Sequence, residues 1–572
     1  MSGWNREEVE AWIADDPAEK TKAELQELLD KALAGDADAD AELADRFSGQ
    51  LTFGTAGLRG HIGAGPNRMN RSVVIKAAAG LSAVLKKHAG EGFTVVIGYD
   101  ARHWSHRFAM DTAGVVEAAG GVAVMLPRAL PTPVTAFALR HDGYDAAVMV
   151  TASHNPPEDN GYKVYLGGKV VTDSGRGSQI VPPWDAEIFE AIQAIPSVAS
   201  VPRDEDGWET LGEEIVDAYL DRAVSLIPKD GPRDLKIVLT SMHGVGGAPM
   251  LEALNRAGFT DVHAVPEQQE PDPDFPTVQF PNPEEPGALD LAMALARDID
   301  ADIILANDPD ADRCSAAIPD PSAEGGWRQL LGDQVGWLLG NQSARENQGK
   351  DGAVLANSIV SSRLLSKIAA KYDLTHRYTL TGFKWISRVP GLVFGYEEAL
   401  GYCVDPKYVR DKDGISACLK MASMAAQLKA DGRSIQSVLD DLALEFGLHA
   451  TAPLTIRVED LSIIAKGMAN LRANGIASLA GSPVVETIDL ANGAPGLAGD
   501  GEDLPATDGL YYRTEADDRV VARPSGTEPK LKCYLEVIVP VEGGADGLPA
   551  AREAAAARLE AFKADMRAAL GV

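Results

Sequence analysis

Two short stretches of this chain carry residue types and spacings that could do chemistry together. Thr151-Ala-Ser-His-Asn-Pro-Pro-Glu158 follows directly on the apolar run Ala146-Ala-Val-Met-Val150. A buried strand therefore delivers the hydroxyl of Ser153 onto a turn that Asn155-Pro156 initiates. That is the carboxyl end of a strand, where open α/β sheets place their chemistry. Asn307-Asp-Pro-Asp-Ala-Asp-Arg313 ends a second apolar strand and offers Asp308, Asp310 and Asp312 at alternate positions. A serine hydroxyl plus a carboxylate cage for a hard cation points to phosphoryl transfer.

Each stretch has a plainer reading. Ser153 could cap the next helix. Lys163, ten residues on, favours chemistry because it could supply a charged proton donor or acceptor. No Gly-x-Ser-x-Gly elbow surrounds Ser153, which disfavours an esterase. Alternate aspartates also occur in turns and in Ca²⁺ loops. The EF-hand pattern fails here, because no Glu stands at the twelfth loop position and Pro309 interrupts. Three carboxylates plus a phosphate oxygen suit Mg²⁺. Arg313, beside the trio, is a salt-bridge partner or a phosphate ligand.

Three further motifs are weaker. In Tyr396-Glu-Glu-Ala-Leu-Gly-Tyr402, Glu397 and Glu398 are either solvated charges or acceptors for sugar hydroxyls. Arg523-Pro-Ser-Gly-Thr-Glu-Pro-Lys530 has the composition of a phosphate cradle: hydroxyls at Ser525 and Thr527, close backbone approach at Gly526, and basic ends. Its alternative is a hairpin turn. Thr52–Gly60 is a glycine-dense loop in which Arg59 is the candidate anion contact. Asp100 and Arg102, in Gly98-Tyr-Asp-Ala-Arg102, could simply pair to hold the first domain.

The elements that position these residues alternate. Residues 5–46 read as amphipathic helices, with Leu25, Leu28, Leu29 and Leu33 spaced for one face. Apolar strands are predicted at Thr94–Ile97, Val122–Leu126, Ala146–Val150, Lys236–Leu239, Asp302–Leu305, Ala353–Leu355 and Leu392–Phe394, most of them separated by helices. Strand-to-polar-loop units recur three times, ending at Thr151–Pro156, Asn307–Arg313 and Gly395–Gly401. After residue 450, Leu454–Val458 and Lys532–Val539 alternate as strands with one wet face. Asn492–Asp508 reads as a loop and Leu548–Leu570 as an Ala-rich helix. The expected fold is three similar α/β domains with mixed or parallel sheets and a smaller C-terminal α+β domain. The expected boundaries are 1–50 (helical extension), 51–206, 207–325, 326–448 and 449–572.

Composition bounds the function. The 572 residues are 45% apolar, 24% charged and 6% aromatic, an ordinary globular mixture. Neither a membrane span nor a signal peptide is apparent, and four scattered cysteines read as reduced thiols, so a cytoplasmic location is expected. A net charge of −31 argues against nucleic acid and anionic membranes as partners. It would also repel a phosphorylated substrate, so such a site must be locally basic.

Taken together, Ser-His-Asn-Pro, Asp-Pro-Asp-Ala-Asp-Arg and Arg-Pro-Ser-Gly-Thr-Glu-Pro, in that order, resemble the α-D-phosphohexomutase superfamily from about Leu51 to Val539. The resemblance implies an isomerase with four domains around one central cleft. It implies a phosphoryl group on Ser153, one Mg²⁺ per chain held by that phosphoserine with Asp308, Asp310 and Asp312, and a sugar bisphosphate activator. It makes Ser153, Lys163, Arg59 and Arg313 catalytic. It assigns His154, Glu397, Lys412, Arg523, Ser525, Gly526 and Thr527 to the phosphorylated sugar. Asp159–Lys163, Thr381-Gly-Phe-Lys-Trp385 and Asp411-Lys-Asp-Gly414 are similar to a subgroup with phosphopentomutases and sugar bisphosphate synthases. The sugar loop departs from the usual Glu-x-Ser and following His: Ala399 and Tyr402 stand there. Expected chemistry is exchange of phosphate between the 1- and 6-positions of glucose or mannose through a bisphosphate that turns around, with closure of the fourth domain excluding water. A pentose substrate or bisphosphate synthesis is the alternative. A metal-dependent phosphatase and a silent sugar-phosphate sensor are the rival classes.

Overall fold

The computed structural model describes residues 3–54, 57–458, 461–524 and 530–571. It divides into two compact units, one running to Gln329 and including Asp405–Ser423, the other made of Leu330–Val404 and the residues from Met424 on.

The first unit opens with helices Arg6–Asp15, Glu19–Leu33 and Ala37–Arg46. Leu25 and Leu29 bury the expected face, but Leu33, at the last turn, is 50% exposed. The following sheet has Thr94–Tyr99 in the middle, parallel to Val122–Met125 on one side and Ala146–Val150 on the other. The chain then turns back, and Asp159–Leu166 pairs antiparallel with Ala146–Val150. The second sheet repeats this order. Ile237–Thr240 lies between Val262–Ala264 and Ile303–Ala306, and Ser315–Pro319 returns antiparallel. Strands Ala146–Val150 and Ile303–Ala306 are fully buried, which is why both read as unbroken apolar runs.

In the second unit the order recurs: Val354–Ser358 between Thr375–Thr379 and Leu392–Glu397, with Gly401–Cys403 returning antiparallel. In every case the reactive loop connects the third strand to its antiparallel return. The C-terminal sheet is antiparallel and six-stranded. Leu448–Arg457 and Lys530–Val539 form its longest pair, and helices Leu461–Asn474 and Leu548–Leu570 pack on its apolar face. The expected loop Asn492–Asp508 is instead largely a hairpin, Ala494–Gly499 with Glu502–Leu504. Its glycines conceal strands because they supply the turn at Asp500-Gly501. Glu536 is fully buried and accepts hydrogen bonds from Ser362 Oγ (2.7 Å) and Arg363 N (2.9 Å) and Nε (2.7 Å), tying the C-terminal sheet to the loop after Val354–Ser358.

No described helix is long and apolar enough to cross a membrane. All four cysteines are buried free thiols.

Candidate active site

The first two strand-end loops meet in the first unit. Ser153 is buried there, not exposed as its place on a turn suggests, because the aspartate loop covers it. Its Oγ donates to Asp308 Oδ2 at 2.8 Å and lies 3.2 Å from His154 Nδ1. Ser153 has φ 53°, in the left-handed region, where a side chain costs roughly 1–2 kcal/mol. Thr151 Oγ1 holds it there by accepting from Ser153 N at 2.8 Å.

Asp308, Asp310 and Asp312 are fully buried, and one oxygen of each lies within 4.8 Å of the others. Three carboxylates so close would repel strongly, yet the repulsion is met within the protein. Lys163 Nζ reaches Asp310 Oδ2 and Asp312 Oδ2, both at 2.7 Å. Lys412 Nζ adds a 3.2 Å ion pair to the same oxygen of Asp312. Thr132 Oγ1 donates to Asp310 Oδ2 at 2.6 Å. Burial and the two neighbouring charges push the Asp308 carboxyl well above the carboxylate range. Burial opposes ionisation of Asp310 and Asp312 as well, but Lys163 holds both below that range, helped at Asp312 by Lys412. Burial also opposes the charge of Lys163, and Asp310 and Asp312 overcome it and raise its pKa.

The donor set fits a hard divalent cation. Asp310 Oδ1 and Asp312 Oδ1 are buried and have no hydrogen-bond partner among the described residues, a costly state for an anionic oxygen. The lysines occupy only the Oδ2 atoms, so one oxygen of each carboxylate is left to a metal.

Two close approaches fix the aspartate loop. A side chain at Gly244 would strike Pro309 Cα at 2.4 Å, and one at Gly414 would strike Arg313 O at 2.1 Å. Gly414 belongs to Asp405–Ser423, which docks in the first unit through three carboxylates. Asp405 pairs with Arg222 at 2.6 and 2.9 Å. Asp411 accepts from Tyr165 Oη and Gln179 Nε2, both at 2.7 Å, and Asp413 from Tyr219 Oη at 2.8 Å. This docking is what brings Lys412 to Asp312.

Arg59 donates to Asn155 Oδ1 at 3.3 Å, and Arg313 Nε stands 3.8 Å from Asp308 Oδ2. Burial, reinforced by the charges of Arg313 and Arg59, pushes the His154 pKa well below its ordinary value, so the ring is neutral. The structure thus gathers Ser153, His154, Lys163, Arg59, Arg313, Lys412 and the three aspartates in one place, and the local cations answer the adverse net charge.

The remaining predicted residues belong to the second unit. Glu397 is buried at the end of Leu392–Glu397. Glu398, read as a second sugar acceptor, is engaged by Ser361 Oγ (2.7 Å) and Ser358 Oγ (3.1 Å). Tyr402 Oη, in place of the usual His, donates to Gly332 O at 2.9 Å. Arg523 is the next-to-last residue of strand Arg519–Pro524. Ser525, Gly526 and Thr527 lie outside the described residues, as do Thr55 and Ala56 of the Arg59 loop. Sequence reasoning missed Thr132, which sits in Pro131-Thr132-Pro133 with no chemical signature.

Three family models match the chain. They describe phosphoglucomutase/phosphomannomutase α/β/α domains I, II and III, over residues 50–196, 217–322 and 331–446. A probable phosphomannomutase of Haemophilus influenzae is 47% identical over 82% of this chain and 93% of its own length. A phosphopentomutase of Mus musculus is 34% identical over 93% of this chain and 90% of its own. The crystal structure of a phosphoglucomutase/phosphomannomutase family protein from Burkholderia thailandensis superposes with a TM-score of 0.67 at 21% identity, over 90% of this chain and 97% of that one, and shows the shared fold. The chain belongs to the phosphoglucomutase/phosphomannomutase family of the α-D-phosphohexomutase superfamily, whose members are phosphomutases and hence isomerases.

Proposed function

We propose that this protein interconverts the 1-phosphate and 6-phosphate of a hexose, glucose or mannose, through a phosphoserine at position 153. The observation that carries the reading is the 2.8 Å contact of Ser153 Oγ with Asp308 Oδ2, at the mouth of a buried three-carboxylate cage. The phosphoryl group on Ser153 passes to a sugar hydroxyl. The bond from phosphorus to Oγ breaks as the bond to the sugar oxygen forms, and the proton the sugar hydroxyl loses ends on Ser153 Oγ, which is left as a free hydroxyl. The resulting bisphosphate turns around and returns its other phosphate to Ser153, so no phosphate is lost.

Lys163, kept cationic by Asp310 and Asp312, and Arg59 and Arg313 supply fixed positive charge where the transferring phosphoryl carries its negative charge. Neutral His154, 3.2 Å from Oγ, orients the hydroxyl. Asp308, Asp310 and Asp312 would hold Mg²⁺, which when bound neutralises charge on the transferring group. In the second unit Glu397 would accept sugar hydroxyls, and Arg523 with Ser525, Gly526 and Thr527 would hold the phosphate that is not reacting.

A pentose substrate is the second reading. It is favoured by Ala399 and Tyr402 in the sugar loop and by the near full-length match to a phosphopentomutase. The test is a panel of hexose and pentose 1-phosphates, each with a trace of its bisphosphate, followed for both isomer and inorganic phosphate. Isomer without phosphate release supports the mutase, and the best substrate decides the sugar. Phosphate release without isomer would mean a phosphatase. Binding without turnover would mean a sensor.

A further inference from the structure

Arg102 holds no place in the chemistry above, yet its guanidinium gathers the serine loop more completely than any other side chain described here. It is buried, and both terminal nitrogens point into the loop. Nη2 donates to Ser153 O and Asn155 O, both at 2.6 Å. Nη1 donates to Pro156 O at 2.7 Å and to Asp159 O at 3.2 Å. Four carbonyl dipoles converging on one point repel each other, and only a cation at that point makes the arrangement favourable. A planar fork reaches all four, and a single ammonium cannot.

We propose that Arg102 is a positioning residue that sets the nucleophile. The inference rests on Ser153 being the phosphoryl carrier, as argued above. Ser153 is fixed from both sides. Thr151 Oγ1 takes the N–H of the peptide before it, and Arg102 takes the C=O of the peptide after it. These two contacts hold φ and ψ of a residue in the left-handed region, and that conformation aims Oγ at Asp308. Peptide planarity makes the second contact directional: with Ser153 C=O turned to Arg102, the N–H of His154 faces the opposite way.

Arg102 is itself held. Its own N–H donates to Asp100 Oδ1 at 3.0 Å, and its Nε stands 3.4 Å from Asp100 Oδ2. Ser105 Oγ donates to the same Asp100 Oδ1 at 2.6 Å. The Phe275 ring lies against the guanidinium at 4.9 Å. Phe275 comes from the proline-rich loop of the second sheet and has φ 44°, an uncommon conformation for a phenylalanine. The domain that supplies the aspartates therefore also covers the residue that sets the serine.

The experiment is phosphoryl uptake at Ser153 from glucose 1,6-bisphosphate, followed by intact mass, alongside steady-state kinetics and thermal unfolding. Arg102→Lys keeps the charge but loses the fork. Asp100→Asn with Arg102→Met removes charge and countercharge together. In both we expect a cooperative thermal transition, uptake and kcat lowered together by about 100-fold, and KM changed by less than about threefold, the pattern of a misplaced reacting atom. If neither folds, Phe275→Ala, which leaves every hydrogen bond in place, carries the test with an expected loss of about fivefold in uptake. Folded variants that take up phosphoryl at the wild-type rate overturn the proposal, as does a rise in KM alone, which would put Arg102 on the substrate. A wild-type protein that takes up no phosphoryl from hexose or pentose bisphosphates overturns the phosphoserine reading and this inference with it.

Discussion

The loops Thr151–Glu158 and Asn307–Arg313 occupy the same slot in two sheets of the same strand order, yet they are held in opposite ways. The serine loop is secured through its backbone, by one cation that collects four carbonyls. In the aspartate loop the cations meet side chains instead, two lysines sharing Asp312 Oδ2, while its backbone carbonyls accept from neutral N–H groups such as Thr132 N and Val245 N. The first arrangement fixes where a neutral hydroxyl points. The second keeps three carboxylates together while leaving an oxygen on two of them without a hydrogen bond among the described residues. One topological position thus serves a nucleophile or a cation cage according to which part of the loop is neutralised.

The largest expected effect tests the serine side. Ser153→Ala should lower turnover by at least about 10⁴-fold with little change in thermal stability, because the hydroxyl is the reacting group. Activity within tenfold of wild type would remove Ser153 from the chemistry.

The aspartate side comes next. A chelator should lower turnover by more than about 100-fold and Mg²⁺ should restore it. The two lysines make a sharper claim. Lys163 and Lys412 already meet the repulsion of the trio, so the chelated protein should remain folded, with its thermal midpoint lowered only modestly. Unfolding on chelation would show that the cation, and not the lysines, holds the loop.

A smaller effect is expected where binding is remote from the reaction. Arg523→Lys should raise KM and lower kcat, each by about tenfold, for hexose and pentose alike, since an ammonium cannot form two parallel bonds to a phosphate. Uptake of phosphoryl at Ser153 should be nearly unchanged. A variant that altered only the preference among sugars would place Arg523 on the sugar ring.

The last effect, on stability and not on turnover, concerns the third sheet. Asp333 is buried behind its sugar loop, accepting from Ser362 N at 2.8 Å and Tyr396 Oη at 2.9 Å. No cation among the described residues pairs with it, and burial pushes its pKa to about 7 from 3.8. The folded state therefore holds a proton that the unfolded state has released. Stability should fall as pH rises from about 4 to 7, by up to about 4 kcal/mol from this one group. Asp333→Asn should remove that slope, as denaturant unfolding across the range would read. An unchanged slope would mean that Asp333 ionises freely despite its burial.

The motifs were legible because their chemistry depends on residue type and short spacing. Ser153 and the aspartates could be placed at strand ends because Ala146–Val150 and Ile303–Ala306 are buried on both faces and so unbroken in the sequence. Leu548–Leu570 was legible to the residue, being long, Ala-rich and closed by Gly571. What pairing through space decides was hidden. Arg102 and Asp100 looked like a simple ion pair, since nothing local shows that four carbonyls 51 to 57 positions away converge on the arginine. The place of Lys412 at Asp312 was equally invisible, because it depends on Asp411 and Asp413 finding Tyr165 and Tyr219. The hairpin Ala494–Leu504 reads as loop in the sequence because glycine and proline mark turns and strand breaks alike.

The docked segment Asp405–Ser423 also bears on how the chain is made. Lys412 is synthesised 100 residues after Asp312. At about 5–20 residues per second, the aspartate loop leaves the ribosome roughly 5–20 s before its second countercharge exists. Until then Lys163, with Arg313 and Thr132 beside the trio, meets the three carboxylates, and the loop lacks the neighbour that Gly414 admits. The cage is therefore completed late, after the third sheet has been translated, and a chain truncated before residue 405 should hold Ser153 and all three aspartates without their second lysine or the close neighbour at Gly414.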